Sequence, residues 1–352
     1  MGLVRIILAI SVYLGHAWPL FPPKVHEMSG GVISVRLFYI ISGYLIAMVL
    51  SEKYGSLKNF YFSRALRLLP TYLIVLAITL LSSCLFILWR NDPFLLGYLI
   101  GYKNVLSSFE IALLSIPQLG ILFLDLFGFF GVNENGIHLL LVSWGNTNGY
   151  EFLLVPQAWT LGIECWFYLF APFLIKRSWG PYVLFAASLS CSLIILWLMP
   201  REIALNDPWA RRFFPSELQY FAMGCIAYRL RANLMPSKAV TKIIIYLLTF
   251  FCLIFLDSPN FFLPPTLIYL GFALSIPAIL SLSKFIPFDR LIGDTSYPFY
   301  ICHWLFLHLV ANEYLPHFGF PISCCLIYSL IFSLFMVLFV EKKVNRKRKS
   351  LS

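Results

Sequence analysis

Ten apolar stretches recur along this chain of 352 residues, at 3–21, 32–50, 70–89, 157–175, 181–199, 218–232, 240–256, 266–282, 297–312 and 321–340. Each is close to the length that carries a helix across about 30 Å of hydrocarbon. With 60% of its residues hydrophobic and 12% charged, the chain departs from soluble domains, in which about a quarter are charged. The fold class this predicts is all-α, a polytopic membrane bundle of about ten transmembrane helices. A further apolar stretch, 111–130, contains Pro117, Gln118, Asp125 and two glycines, and the placement of charge decides whether it crosses.

Basic residues gather at Lys53, Lys58, Arg64 and Arg67, at Lys176 and Arg177, at Arg229, Arg231, Lys238 and Lys242, at Lys284 and Arg290, and along 342–349. By the positive-inside rule these segments and both termini face the cytoplasm. Ten spans satisfy every one of these assignments, whereas one more crossing would turn Lys176 and Arg177 outward. The stretch 111–130 is therefore predicted to be re-entrant or interfacial, its backbone covered by protein or water. Residues 90–156, with Asn133, Asn135, Asn146 and Asn148, and the loop 200–217 are predicted to face outward.

The net charge of +10 is spread over cytoplasmic loops, so topology explains it without nucleic-acid binding. A membrane domain, 1–341, and a basic cytoplasmic tail, 342–352, account for the chain. The tail is expected to anchor on anionic lipid head groups, each basic residue contributing about 1 kcal/mol. The first stretch has the early cation of a signal peptide but no small-residue cleavage site, so it is read as a retained span. Cys84, Cys165, Cys191, Cys225, Cys252, Cys302, Cys324 and Cys325 sit in apolar stretches without metal-ligand or disulfide spacing, and are expected to pack as small apolar side chains.

Arg5 and His16 lie eleven residues apart on the first stretch. On a helix that spacing is about three turns plus roughly 20°, which puts both side chains on one face, about 16 Å apart along the axis. Ionisable groups inside a span cost about 2.5–3.5 kcal/mol even on the lenient insertion scale, and usually face a cavity or a partner. The pair is consistent with a reaction path inside the bilayer. It is also consistent with Arg5 snorkelling to the cytoplasmic surface while His16 bonds a neighbouring helix.

Five motifs in order carry a family resemblance. They are Arg5 with His16, an Arg-x10-His pair; Gly-Gly-Val at 30–32 with Leu-Phe-Tyr-Ile-Ile-Ser-Gly-Tyr at 37–44; and Arg64-Ala-Leu-Arg67 followed by Leu-Leu-Pro-Thr-Tyr. The others are Ala-Trp-Thr-Leu-Gly-Ile-Glu-Cys-Trp-Phe-Tyr at 158–168 and Ser-Tyr-Pro-Phe-Tyr-Ile-Cys-His at 296–303. The chain resembles, over nearly its whole length, the acyltransferase-3 family of bacterial integral membrane acyltransferases. Its departures are Thr160 in place of Ser, Tyr39 and Tyr44 in place of Phe, and a charged Arg36. The SGNH-type domain fused to some relatives is expected to be absent.

The resemblance implies transfer of an acyl group, usually acetyl, from cytoplasmic acetyl-CoA or another acyl-CoA to a hydroxyl of a cell-surface polysaccharide, a lipopolysaccharide or a lipid-linked sugar. The setting it implies is the bacterial cytoplasmic (inner) membrane, crossed many times. Neutral imidazole in a low-dielectric pocket suits the base that a sugar hydroxyl needs, so His16 is the expected base. Arg5 is expected to hold a CoA phosphate or the developing oxyanion. Arg64 and Arg67, one turn apart at the cytoplasmic surface, are placed for a CoA phosphate fork, or else are ordinary positive-inside residues.

Glu164 is expected to orient His16 or bind the acceptor, the alternative being a structural ion pair with a cation such as Arg36. Trp159 and Tyr168 beside it, and Tyr297 with His303 in the last motif, are the expected acceptor contacts; His303 also fits an interhelical hydrogen bond. Ser42-Gly43 is expected to allow close helix approach rather than to supply a nucleophile. No metal is expected. Two other classes stay open: a proton-coupled transporter, and a non-catalytic partner in polysaccharide assembly.

Single cysteines placed in 51–69, 229–239 and 341–352, in a background without the native eight, should react with an impermeant thiol reagent from the cytoplasmic side. Those in 132–156 and 200–217 should react from the other side. Cytoplasmic labelling of 200–217 would overturn the span count.

Overall fold

The computed structural model describes residues 1–17, 30–53, 55–142, 147–254 and 264–350. Asn146 and the ends of the stretches 3–21 and 240–256 lie outside them. Backbone polar groups in hydrocarbon must pair within their own segment, and each of the ten apolar stretches accordingly carries a helix. In chain order the helices begin with α1 (Gly2–Ala17), α2 (Gly30–Glu52), α3 (Leu57–Arg90), α4 (Gly97–Gly101) and α5 (Ser108–Ser115). They continue with α6 (Trp159–Leu174), α7 (Gly180–Leu198), α8 (Arg201–Ala204), α9 (Phe214–Arg229) and α10 (Arg231–Leu234). The last five are α11 (Ala239–Ile254), α12 (Pro265–Ser283), α13 (Asp289–Ala311), α14 (Pro321–Met336) and α15 (Lys342–Lys349).

Among the described residues, five helical runs are long and apolar enough to cross a membrane: α2, α3, α7, α12 and the run Pro321–Arg348 that joins α14 to α15. Of the other five stretches, α1, α6, α9 and α11 have 16 residues each, about 24 Å of helix. Large apolar side chains lie exposed along one face of several helices, as at Leu81, Leu85 and Leu88 on α3 and Ile327, Ile331 and Phe335 on α14. In a membrane protein that face meets lipid. Cys84 falls on it and is exposed, unlike the other seven cysteines, because it shares the outward face of α3 with Leu81 and Leu88. All eight are free thiols.

The stretch 111–130 does not form one helix. After α5, whose start is closed by a capping box between Ser107 and Glu110, the chain passes through 3-10 turns at Ile116–Leu119 and Leu124–Phe129. Gln118 is buried and covers this irregular backbone. Its amide donates to the carbonyls of Leu114 and Phe152 and its oxygen accepts from Leu154 N–H, while the Tyr72 hydroxyl donates to its carbonyl. Protein groups thus satisfy the segment, as a non-spanning reading requires.

Three short strands follow, β1 (Phe130–Asn133), β2 (Gly136–Leu139) and β3 (Thr147–Asn148), in the order β2-β1-β3 and antiparallel. Phe130 pairs with Leu139, and Val132 with both Ile137 and Thr147. This small sheet is the exception to the all-helical expectation. Its strands are only two to four residues long, too short to show an alternating pattern in sequence.

The chain forms two compact units. Residues 1–63, 171–185 and 219–352 make the first, and 64–170 with 186–218 the second. In the first unit α1 packs against α13 and α2, and α13 against α14. The carboxylate of Asp289, at the start of α13, accepts from the backbone N–H groups of Gly2 and Leu3 at 2.8 and 3.0 Å, closing the open N-terminus of α1.

Also in the first unit, α2 crosses α9 at a contact only glycine permits. A Cβ on Gly43 would sit 2.0 Å from the Phe221 carbonyl oxygen, and one on Gly224 equally close to that of Ile40. The Cys225 thiol donates to the Gly43 carbonyl at 3.2 Å. Gly43 thus provides the close approach expected at Ser42-Gly43. Gly43→Ala should force the helices apart and destabilise the fold by about 1–3 kcal/mol, read as a lower thermal midpoint in detergent; an unchanged midpoint would show that the crossing yields freely.

Candidate active site

In the first unit the site is built along the seam of α1 and α13. Gly2 meets Gly293, where a Cβ on Gly293 would lie 2.8 Å from Gly2 Cα and 3.6 Å from an Arg5 guanidinium nitrogen. Arg5 therefore lies along α13 where α13 has no side chain. Farther on, Tyr13 packs edge-on against Phe299 and His303, and its hydroxyl donates to the Ile322 carbonyl. At the far end His16 Nδ1 meets His303 Nε2 at 2.9 Å, with ring planes 12° apart. Trp304 abuts the His16 ring edge-on, with centroids 5.3 Å apart.

His303 is wholly buried among Tyr13, Phe299 and Tyr300. His16 is half-buried, and so is Arg5. One proton bridges the two imidazoles, and its position decides the chemistry. A neutral imidazole carries hydrogen on one nitrogen only. If His16 donates from Nδ1, its Nε2 keeps a lone pair and can act as a base; if His303 donates, His16 Nε2 carries hydrogen and cannot. His303 was expected both as an acceptor contact and as an interhelical partner, and its burial against His16 supports the second role.

In the second unit α3 and α6 bring together Arg64, Tyr168 and Glu164. The Arg64 guanidinium lies over the Tyr168 ring, 5.9 Å from its centroid, and the Tyr168 hydroxyl donates to Glu164. Arg64 is 8% exposed and Arg67 half-buried, and both charges act on Tyr168. The motif is thus more than a surface patch. Glu164 and His16 belong to different units, and within its own unit Glu164 accepts from Tyr168. Arg36 stands over the rings of Tyr220 and Tyr269 in the first unit, at 4.8 and 6.0 Å.

The Trp159 ring faces the Arg212 guanidinium, 4.6 Å from the centroid, and Tyr150 takes the same guanidinium at 4.8 Å. Arg212 Nε also donates to both oxygens of Asp207, at 3.1 and 2.9 Å. A cation from the 200–217 loop thus packs on both rings. Tyr297 is half-buried in α13.

Two residues of this second unit were not singled out as candidates from the sequence. Arg212 looked like one charge in a mixed loop. Asp125 gave a faint signal, an acid inside an apolar stretch. It is wholly buried, neither carboxylate oxygen makes a hydrogen bond, and its Oδ1 lies 2.8 Å from where a Cβ on Gly162 would be. Gly162 thereby lets Asp125 sit against α6 two residues before Glu164. Burial pushes the Asp125 carboxyl up to about 7. Among the described residues no group of three or more His, Cys, Asp or Glu is placed to hold a metal ion.

A family model described as an acyltransferase domain matches residues 1–340. The O-acetyltransferase OatA of Staphylococcus aureus strain NCTC 8325 is 24% identical over 354 residues, covering 91% of this chain and 53% of OatA. SACOL0978 of S. aureus strain COL, provisionally named an O-acetyltransferase, is 24% identical over 322 residues, covering 82% of this chain and 48% of that protein. The chain spans about half the length of these curated relatives. No solved structure matches it.

The elevated Asp125 carboxyl makes a pH prediction. The folded carboxyl keeps its proton to higher pH than the unfolded one, whose ordinary value is 3.8. Its contribution to stability is therefore fully present below about pH 4 and is lost as pH rises to about 7. Asp125→Asn, neutral and of the same shape, should match the unchanged protein in thermal midpoint below about pH 4, exceed it increasingly as pH rises, and keep a constant excess above about pH 7. Parallel midpoint curves for the two proteins would show that Asp125 does not titrate in this range.

Proposed function

The chain belongs to the acyltransferase family whose model it matches over residues 1–340, and on that premise we propose that it moves an acyl group from cytoplasmic acyl-CoA to a sugar hydroxyl. Acetyl is the favoured group because the relatives bear O-acetyltransferase names. The favoured acceptor is a cell-surface polysaccharide, a lipopolysaccharide or a lipid-linked sugar at the bacterial inner membrane. The observation that carries this reading is the imidazole pair, His16 Nδ1 to His303 Nε2 at 2.9 Å, with His16 on the same face of α1 as Arg5.

In this reading His16 donates from Nδ1 to His303, so that its Nε2 carries a lone pair. That nitrogen takes the proton of the acceptor hydroxyl as its oxygen attacks the thioester carbonyl. The carbonyl oxygen becomes an oxyanion; Arg5, about 16 Å away along α1, is placed for a phosphate of the donor CoA. The carbon–sulfur bond then breaks, CoA leaves as its thiolate, and the imidazolium returns the proton to sulfur. The products are the sugar ester and CoA. His303 is a positioning residue, holding the His16 ring and tautomer as a carboxylate does in other histidine-dependent sites.

Arg64 and Arg67 bind donor phosphate. Tyr168 is braced between Arg64 and Glu164, which preorganises that cation. The Glu164 carboxylate also suits hydrogen bonds from acceptor hydroxyls.

His16→Ala should cut acetyl-CoA consumption by the purified, reconstituted protein by about 10²–10⁴-fold while leaving its thermal midpoint nearly unchanged. Arg67→Ala should raise the acyl-CoA concentration for half-maximal rate more than it alters acceptor dependence, and Arg67→Lys should recover part of the loss. A His16→Ala protein that still consumes acetyl-CoA near the original rate would exclude the proposed base. Uptake of labelled glycan without CoA release would favour a transporter.

A further inference from the structure

The last span ends in an unusual way. Between α14 and α15 the chain makes a π-helical turn, Val337–Glu341, with Glu341 buried beneath it. Such turns carry an extra residue and re-aim the helix that follows. On α15, Lys342, Asn345 and Arg346 are spaced to share one face. With Arg290 of α13 they line a cavity of about 510 Å³ whose apolar walls include Phe288 and Leu338. Three cations converge there, and the facing charges include one carboxylate, Asp294, at 4.0 Å from Arg290 Nε. Asn345 Oδ1 accepts from Arg348, which leaves its amide hydrogens for another acceptor.

The position of the cavity selects its occupant. The exposed face of α14, running through Ile331, Phe335 and Leu338, is the face that meets hydrocarbon. The cavity lies where that face gives way to the basic helix, which by the positive-inside rule is the cytoplasmic head-group level. Phe288, 75% exposed, stands on the opposite wall. A soluble anion would use the cations and leave these apolar walls unmatched. A lipid with a phosphate head and two acyl chains matches both.

We infer that this cavity is a binding site for an anionic phospholipid of the cytoplasmic leaflet. Its phosphate sits among Arg290, Lys342 and Arg346, its head-group hydroxyls face the Asn345 amide, and its acyl chains run along α14. This differs from a diffuse electrostatic anchor, in which every basic residue of the tail counts equally. Arg290, more than fifty residues before the tail, has no part in such an anchor. The inference is independent of the acyltransferase chemistry.

The test uses the full chain purified in mild detergent after equilibration with vesicles of phosphatidylcholine alone or mixed with phosphatidylglycerol, with retained lipid read by native mass spectrometry. Arg290→Gln combined with Arg346→Gln should lower phosphatidylglycerol retention by at least about tenfold. Lys343→Gln combined with Lys347→Gln, which removes the same charge from the tail outside the cavity, should leave it within about twofold. Leu338→Trp, which fills the cavity without changing charge, should also lose the lipid and serves if the double Arg variant fails to fold. Equal loss in both double variants would overturn the site in favour of a diffuse anchor. So would displacement of phosphatidylglycerol by free CoA, which would assign the phosphates to the donor.

Discussion

The pairing of α1 with α13 sets the register on which the proposed chemistry depends. The helices run parallel, and their contacts keep nearly one offset from end to end. Gly2 meets Asp289 and Gly293 near the start, Tyr13 meets Phe299, and His16 meets His303 at the end. A carboxylate on the open N-terminal amides pins one end, where the helix dipole also favours negative charge. Moving either helix by one residue would turn its side chains by about 100° and separate the imidazoles. A capping bond at one end thus holds a hydrogen bond about four turns away.

Lipid leaves little hydrophobic drive between helices, so association must come from close packing and polar contacts. The first unit uses both. Gly43 and Gly224 bring two backbones into contact, and the imidazole pair supplies a polar link. The exposed leucines and phenylalanines of α3 and α14 look misplaced by the standards of a soluble protein. They are on the correct side for a chain whose solvent is hydrocarbon.

The second unit solves a different problem, keeping an irregular backbone beside membrane helices. Gln118 satisfies three backbone groups from two segments through one side chain, and Arg212 is held by a carboxylate on its edge and by two aromatic rings on its face. Asp125 is the costly member, a buried carboxyl without a hydrogen bond that tends to keep its proton. Such groups persist where neighbours hold them in place. Gly162, which lets Asp125 sit against α6, is two residues before Glu164 and so on nearly the opposite face of that helix.

Apolar patterning by itself determined the helical class, the positions of the ten helices and the shared face of Arg5 and His16, and the placement of charge gave the reading of 111–130 as re-entrant or interfacial. These are local properties: an apolar run of sufficient length must become a helix in lipid, and helix period then sets which side chains align. The family followed from motifs that are likewise local. Tertiary structure alone decided which side chains meet. Nothing local to His303 says that its ring will face His16 across a sequence separation of 287. Nor could spacing reveal that Arg212 would take the face of Trp159, that Tyr168 would stand between Arg64 and Glu164, or that Arg290 would join the basic face of α15. Those pairings depend on crossing points and helix rotations, set by small residues and caps whose effect is felt only when two distant segments pack.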